Sequence, residues 1–196
     1  MKKKLIIATH NPNKVKEYRS LFSSTEYEII SLSDLNFHDD IIENGETFAD
    51  NAIIKATTIH ERFNLPVIAD DSGLSITALD GFPGVQSARF MDGEPYTAKN
   101  QAIIEKLIDE IDRSAKFVAA IALVGVDLFP QVFIGEVKGT ILTEQRGNDG
   151  FGYDPIFFYP DFQKTFAELT MTEKEKISHR GKATDLLLNY LIDHPF

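Results

Sequence analysis

The amino-acid sequence predicts an α/β fold built on a mixed sheet flanked by helices, and three observations carry that prediction. In the first half of the chain, apolar runs of strand length alternate with segments of helical period, the pattern of an α/β layer architecture. In the middle, two longer apolar runs are separated only by Asp127 to Pro130, a hairpin signal that adds antiparallel pairing to a sheet that begins parallel. Hydrophobic residues make up 43% and charged residues 26% of the 196, globular proportions that exclude a disordered, collagenous or coiled-coil chain. That length, without an internal repeat or a linker rich in Pro, Gly or Ser, fits a single domain over residues 1–196.

The elements follow in order. Leu5 to Ala8 reads as a buried strand; Lys2, Lys3 and Lys4 precede it, but the apolar run is too short for the core of a signal peptide. Val15, Tyr18 and Phe22 recur at helical spacing, and Tyr27 to Leu32 is the second strand. A helix from Thr47 to about Phe63 is capped by Thr47, with Asp50 three residues on as its capping-box partner. Phe48, Ala52, Ala56, Ile59 and Phe63 form its core-facing stripe. Asn51 and Lys55 fall one turn apart on the edge of that stripe, where a lysine either meets an anion or snorkels to solvent. Val67 to Ala69 and Leu74 to Ile76 read as two strands on either side of Asp70-Asp71-Ser72-Gly73. Ile104, Leu107, Ile108 and Ile111 predict a helix, Phe117 to Val126 and Gln131 to Val137 the hairpin strands, and Ile156 to Phe158 a further strand. Ala183, Leu187, Tyr190 and Leu191 form the stripe of a last helix, with Ser178 as its N-cap.

Composition narrows the function classes. Lys and Arg total 20 and Asp and Glu 30, a net charge of −10 that argues against a nucleic acid polymer as partner. A small phosphorylated substrate remains compatible, because a few placed lysines and a divalent cation can hold one. The absence of Cys removes disulfides, Cys-based zinc sites and thiol catalysis. No apolar run reaches the length of a membrane span, so the expectation is a soluble, cytoplasmic protein. GxSxG, HExxH, GxGxxG and the Walker pattern GxxxxGK[ST] are all missing, and the five histidines lack metal-ligand spacing.

Five clusters carry possible chemistry. Thr9, His10, Asn11, Pro12, Asn13 and Lys14 lie between the first strand and the first helix, where backbone N–H groups and a positive helix end suit phosphate; an ordinary polar turn reads the same way. Glu43, beside Asn44-Gly45, offers a carboxylate to a hard cation, as any surface glutamate does. Asp70 and Asp71 end a buried run, and adjacent carboxylates there suit an oxygen-liganded divalent metal or a general base; a solvated acidic turn is the alternative. Gly147 to Pro155 interleaves three glycines with Phe151 and Tyr153, rings that can stack on a flat base, while Asp154 accepts hydrogen bonds; aromatic packing in a turn is the alternative. Lys174 to Arg180 ends with His179 and Arg180 in the first turn of a helix, where cations are disfavoured unless something electronegative shares the space.

Taken together, THNPNK, ENGETFADNAIIKA, IADDSGL, FGYDPIFF and AELTMTEKEKISHRGKA, in that order from about residue 5 to residue 192, resemble the inosine triphosphate pyrophosphatase family, also called XTP/dITP diphosphatases. Gly84 to Arg89 is similar to the family's PG-x-x-SAR segment. The resemblance implies an elongated mixed α/β fold with two lobes around a deep substrate cleft, usually as a homodimer. It implies Mg²⁺-dependent hydrolysis of dITP, ITP and XTP to the monophosphate and pyrophosphate, which cleanses the nucleotide pool. Carried over by motif, Thr9 to Lys14 grip the triphosphate, Asn51 and Lys55 face it, and Ser72 contacts substrate. Asp71 resembles the catalytic carboxylate, serving as metal ligand and proton acceptor, with Glu43 as the second ligand. Phe151, Gly152, Tyr153 and Asp154 line the base, Lys174 touches substrate, and His179 and Arg180 resemble the pair that reads the oxygen at the purine's six position. Ile42 departs from the family's pattern, which commonly places two carboxylates there. Two other readings remain on the same scaffold: a nucleotide sensor without turnover, and a pyrophosphatase of different base specificity.

Overall fold

The structure is a computed structural model, and it describes residues 2–196. Its strands form one seven-stranded sheet in the order β2-β1-β3-β4-β5-β6-β7. The chain divides into two compact units. The first takes in the chain up to Asp71, then Ala119–Gly135 and Arg180–Phe196; the second is Ser72–Val118 and Glu136–His179.

In the first unit, β1 (Lys3–Ile7) pairs in parallel with β2 (Tyr27–Ser31) on one side and with β3 (Val67–Ile76) on the other. Parallel neighbours need crossovers, and α1 (Pro12–Leu21) and α2 (Phe48–Phe63) supply them. Because the chain leaves β1 toward one side and later returns to its other side, right-handed connections put the two helices on opposite faces. The packing follows. Leu5, Ile7, Ile68, Ala119, Ile121 and Leu123 face Tyr18 and Phe22 of α1 and the Ala183, Leu187, Leu191 stripe of α5 (His179–Asp193). Their neighbours Ile6, Ala8, Val67, Ala69, Ala120 and Ala122 face Ala52, Ala56 and Ile59 of α2. Alternate residues serve opposite layers, which is why these strands read as continuous apolar runs.

The helix ends have local causes. Asn11 caps α1 by accepting from the N–H groups of Asn13 and Lys14, and Pro12, which has no N–H to satisfy, occupies the first turn. The capping box expected at Thr47 and Asp50 is present, and α2 stops at Asn64, whose left-handed φ of 52° ends the helix.

The second unit holds the antiparallel part of the sheet, where β5 (Gln131–Ile141) pairs with β6 (Phe157–Tyr159) and β6 with β7 (Lys164–Thr165). Its core joins Leu74, Ile76, Ile103, Leu107, Phe117, Val137, Phe157 and Phe166. The rings of Phe117 and Phe157 lie 4.4 Å apart. The remaining elements are β4 (Ser114–Val124), α3 (Tyr96–Lys106) and α4 (Met171–Ile177).

Three expectations are corrected. The two strands expected on either side of Asp70-Asp71 are one strand, β3, so the carboxylates stand in mid-strand. They lie past the end of β1, whose last paired residue, Ile7, is opposite Ile68. The helix expected through Ile111 stops at Lys106; Ile103 and Leu107 are buried, but Ile108 and Ile111 point to solvent. The turn expected to run through Lys14 ends earlier: α1 begins at Pro12, so Asn13 and Lys14 lie within the helix. The short strand β7, two residues long, carried no periodic signal in the sequence.

Candidate active site

In open α/β sheets, ligands bind beyond the carboxyl ends of the strands, where successive connections part to opposite faces. In this chain that point is the end of β1. Thr9 to Lys14 follow it directly, α1 and α2 flank it, and β3 runs on beside it carrying Asp70 and Asp71.

Two lysines reach this point from opposite layers. Lys14, on α1, donates to the backbone carbonyl of Asp70 at 3.1 Å and to its carboxylate at 3.3 Å. Lys55, on α2, donates to the same carbonyl at 3.0 Å and to the Asp71 carboxylate at 3.3 Å. Lys55 is 6% exposed, which decides between the two readings of its place on the stripe edge: it meets anions and does not snorkel. Burial lowers the pKa of Lys14, with Lys55 and Arg180 adding to the effect and Asp70 opposing it.

The two carboxylates differ. Asp70 is fully buried, and its carboxylate accepts from Nε of Arg180 and from Lys14. Burial alone would raise its pKa, but Arg180, Lys14 and Lys55 hold it well below the usual carboxylate range. Arg180 also pairs with Glu17. The electronegative company expected for a cation in the first turn of the last helix is therefore supplied by the chain itself. Asp71 lies at the margin of burial, and burial, with Glu43 adding, pushes its carboxyl above the usual range against Lys55, Lys14 and Asn51. A carboxylate that is costly to keep charged is suited to accept a proton.

Glu43 joins this cluster through Lys55, whose ammonium lies 3.3 Å from Oε2 of Glu43. Asn51 sets the loop: its Oδ1 accepts from the N–H of Gly45 at 2.9 Å and its Nδ2 donates to Asp71 at 3.1 Å. A Cβ on Gly45 would come within 2.5 Å of the Asp50 Cβ and 2.9 Å of the Asn51 backbone, so the loop closes this tightly only with glycine. Among the described residues, no three His, Asp or Glu side chains gather as a metal cage. The pair Glu43 and Asp71, meeting at one ammonium, is a set of the kind Mg²⁺ uses when phosphates and water complete its octahedron.

The other members of the first motif serve the turn. Thr9 accepts from the N–H of Asn11 at 3.2 Å. The Nε2 of His10 lies 3.0 Å from the carbonyl of Asp39, and its ring stacks on Phe37. Asn13 is exposed.

The second unit holds the remaining predicted residues, and Phe151 and Lys174 gather around Asp154. Its buried carboxylate accepts from the N–H of Phe151 at 2.8 Å and from Lys174 at 2.7 Å, and the Lys174 ammonium lies 4.7 Å from the centre of the Phe151 ring. Gly150 has φ of +76°, and a Cβ there would run into the Asp154 carboxylate. The hydroxyl of Tyr153 donates to the carbonyl of Ser87 at 2.8 Å. His179 is buried, with its ring stacked on Phe117 at 4.9 Å. Ser72 is half-buried on β3.

Two participants were not singled out from the sequence. Asp70 entered only as half of a pair, and Glu17 not at all. Glu17 lies three residues after Lys14 on α1, hence on the same face, a signal that becomes informative only once Arg180 is placed beside it.

Buried lysines and carboxylates past the end of a parallel strand, beside a helix N-terminus, define a protein equipped to hold a phosphorylated ligand. The chain belongs to the Ham1 family, whose profile it matches over residues 5–190. A relative from Christiangramia forsetii, named dITP/XTP pyrophosphatase, is 45% identical over 96% of this chain and 98% of its own. One of the same name from Bacillus subtilis is 46% identical over 96% of this chain and 97% of its own. Among solved structures, the Staphylococcus aureus Ham1 protein superposes with a TM-score of 0.88 at 40% identity, covering 97% of this chain and 99% of that one. A dITP/XTP pyrophosphatase from Mycobacterium abscessus superposes with a TM-score of 0.75 at 39% identity, covering 94% and 98%.

Proposed function

We propose that this protein is a nucleoside-triphosphate pyrophosphatase that hydrolyses dITP, XTP and ITP to the monophosphate and pyrophosphate, removing deaminated purines from the nucleotide pool. Membership of the Ham1 family and the shared name of its near-full-length relatives support that reading. The single structural observation that carries it is the meeting of Lys14 and Lys55 on one oxygen of Asp70, with the Asp71 carboxylate beside them.

Lys14 and Lys55 hold the polyphosphate and offset the charge that builds on its oxygens, with the polar turn from Thr9 to Asn13 beside them. Asp71 orients the attacking water and accepts its proton as the bond to the α-phosphorus forms and pyrophosphate leaves. Mg²⁺, when bound, supplies Lewis-acid charge on the phosphate oxygens, with Asp71 and Glu43 as its protein ligands. Asn51 keeps the Glu43 loop and Asp71 together. In the second unit, Phe151 stacks on the purine, Gly152, Tyr153 and Asp154 line it, and Lys174 contacts substrate. Ser72 contacts substrate as well, while His179 favours a six-keto oxygen over an amino group and Arg180, expected to share that role, is held by Asp70 and Glu17. The protein works in the cytoplasm as a homodimer.

A substrate panel tests this directly. With ITP, XTP, GTP, ATP and UTP at equal concentration and Mg²⁺ present, pyrophosphate release is expected from ITP and XTP well ahead of the others. Equal release from all five would replace purine selectivity with a general activity, and binding without release would make the protein a sensor.

A further inference from the structure

Helix α3 buries two polar side chains that none of the roles above employs, Lys99 at 4% and Asn100 at 1% exposure. The amide of Asn100 donates to the carbonyl of Gly152 at 3.2 Å and to Oε1 of Gln145 at 3.4 Å. Gln145 in turn donates to the carbonyl of Thr97, in the first turn of α3, at 3.0 Å. Since the carbonyl of Gly152 can only accept, the amino group of Asn100 has to face it, and Oδ1 is left buried without a partner. That buried acceptor costs stability, so the side chain is held here by the two bonds its amino group makes to Gly152 and Gln145. Tyr96, one turn earlier on the same face, sets its ring edge-on to that of Tyr153 at 5.4 Å. Lys99 lies 4.9 Å from the centre of the Tyr96 ring and donates to the carbonyl of Ala88 at 3.2 Å, next to the Ser87 carbonyl that accepts from Tyr153. Phe151 is tied at its own N–H by Asp154.

We infer that Asn100 is a positioning residue for base selection: its bond to the carbonyl of Gly152, on the platform of Tyr96 and Lys99, holds the Phe151–Tyr153 segment in the shape that receives the purine. This rests on the proposed hydrolysis of dITP. Asn100 itself touches no substrate; it acts through the peptide that follows the stacking ring.

The test is Asn100→Leu, with Asn100→Ser as the second variant should the bulk of leucine prevent folding. The expected result is a KM for dITP raised about tenfold with kcat largely kept, the effect of losing one oriented hydrogen bond. Selectivity for dITP over dATP falls, while inhibition by inorganic pyrophosphate, which has no base, stays as in the wild type. The melting temperature of either variant falls, since the Gly152 carbonyl loses its donor, so the split between dITP and pyrophosphate, not stability, is the deciding readout. An unchanged KM, or equal weakening toward dITP and pyrophosphate, overturns the inference. Failure of the wild-type protein itself to act on dITP would instead count against the parent activity. Amide exchange of the ligand-free protein over Phe151–Tyr153 then decides the positioning role, faster exchange in the variant upholding it and unchanged exchange ending it.

Discussion

The ammonium groups of Lys14 and Lys55, reaching β3 from opposite faces, both donate to the backbone carbonyl of Asp70, at 3.1 and 3.0 Å. Two buried cations on one oxygen repel each other and lose hydration, and the carboxylates around them offset that cost. Asp70 and Asp71 divide that work. Asp70, locked to Arg180, is the fixed counter-charge; Asp71, its pKa pushed up, keeps the reactive freedom.

Asp71→Asn should abolish pyrophosphate release, by two or more orders of magnitude, while leaving the fold intact. Because the folded Asp71 carboxyl titrates above its unfolded value, its charge destabilises the metal-free protein at neutral pH. The melting temperature of the variant without Mg²⁺ should therefore be no lower than that of the wild type at pH 7. Retained turnover would remove Asp71 from the chemistry.

Asp70→Asn should behave in the opposite way toward stability. It leaves Arg180 and Lys14 buried with fewer anions, a change that costs about 3–5 kcal/mol. For a chain of this length that lowers the melting temperature by roughly 6–20 °C. The sign with pH follows from the depressed pKa: the stabilisation is fully present above the unfolded value of 3.8 and is lost as pH falls through the lower folded one. Thermal melts from pH 7 to pH 2 check both statements.

Lys14→Ala should raise the KM for the triphosphate about tenfold and weaken inhibition by pyrophosphate in parallel, since a charge-assisted contact to phosphate is lost. An unchanged KM would take Lys14 out of the site.

The pH profile of kcat/KM should be a bell bounded by the free protein's groups. Its acid limb should lie above 3.8, the ordinary value for Asp71, and its alkaline limb below 10.5, the ordinary value for Lys14. Steady-state rates across pH 4 to 11 would show whether the limbs move inward in this way.

Gly150→Ala should disturb base binding and spare the phosphate cluster. The added methyl meets the Asp154 carboxylate at a backbone φ of +76°, so Phe151 and Lys174 both lose their common acceptor. A raised KM for dITP with unaltered pyrophosphate inhibition is the expected pattern.

Much of this was legible in the sequence wherever the signal was local. The Thr47 capping box and the place of Lys55 at the edge of an apolar stripe both follow from residues within a turn or two, whereas α1 starts at Pro12, inside the segment expected to precede it. Unbroken β3 was not legible, because two aspartates interrupt an apolar run and strands disfavour Asp. What offsets their charge comes from Lys14 and Arg180, 56 and 110 residues away from Asp70. Ile108 and Ile111 continued a helical period that α3 does not follow, since periodicity records apolar spacing and says nothing of where a helix stops. Asn100 gave no sign at all: a polar residue in a helix reads as surface until the carbonyl it meets is known.

The most direct measurement is product analysis of dITP incubated with Mg²⁺ and either the wild-type protein or Asp71→Asn. One dIMP and one pyrophosphate per dITP from the wild type, and neither from the variant, is the expected result. Release of single phosphates, or equal turnover by the variant, would contradict it.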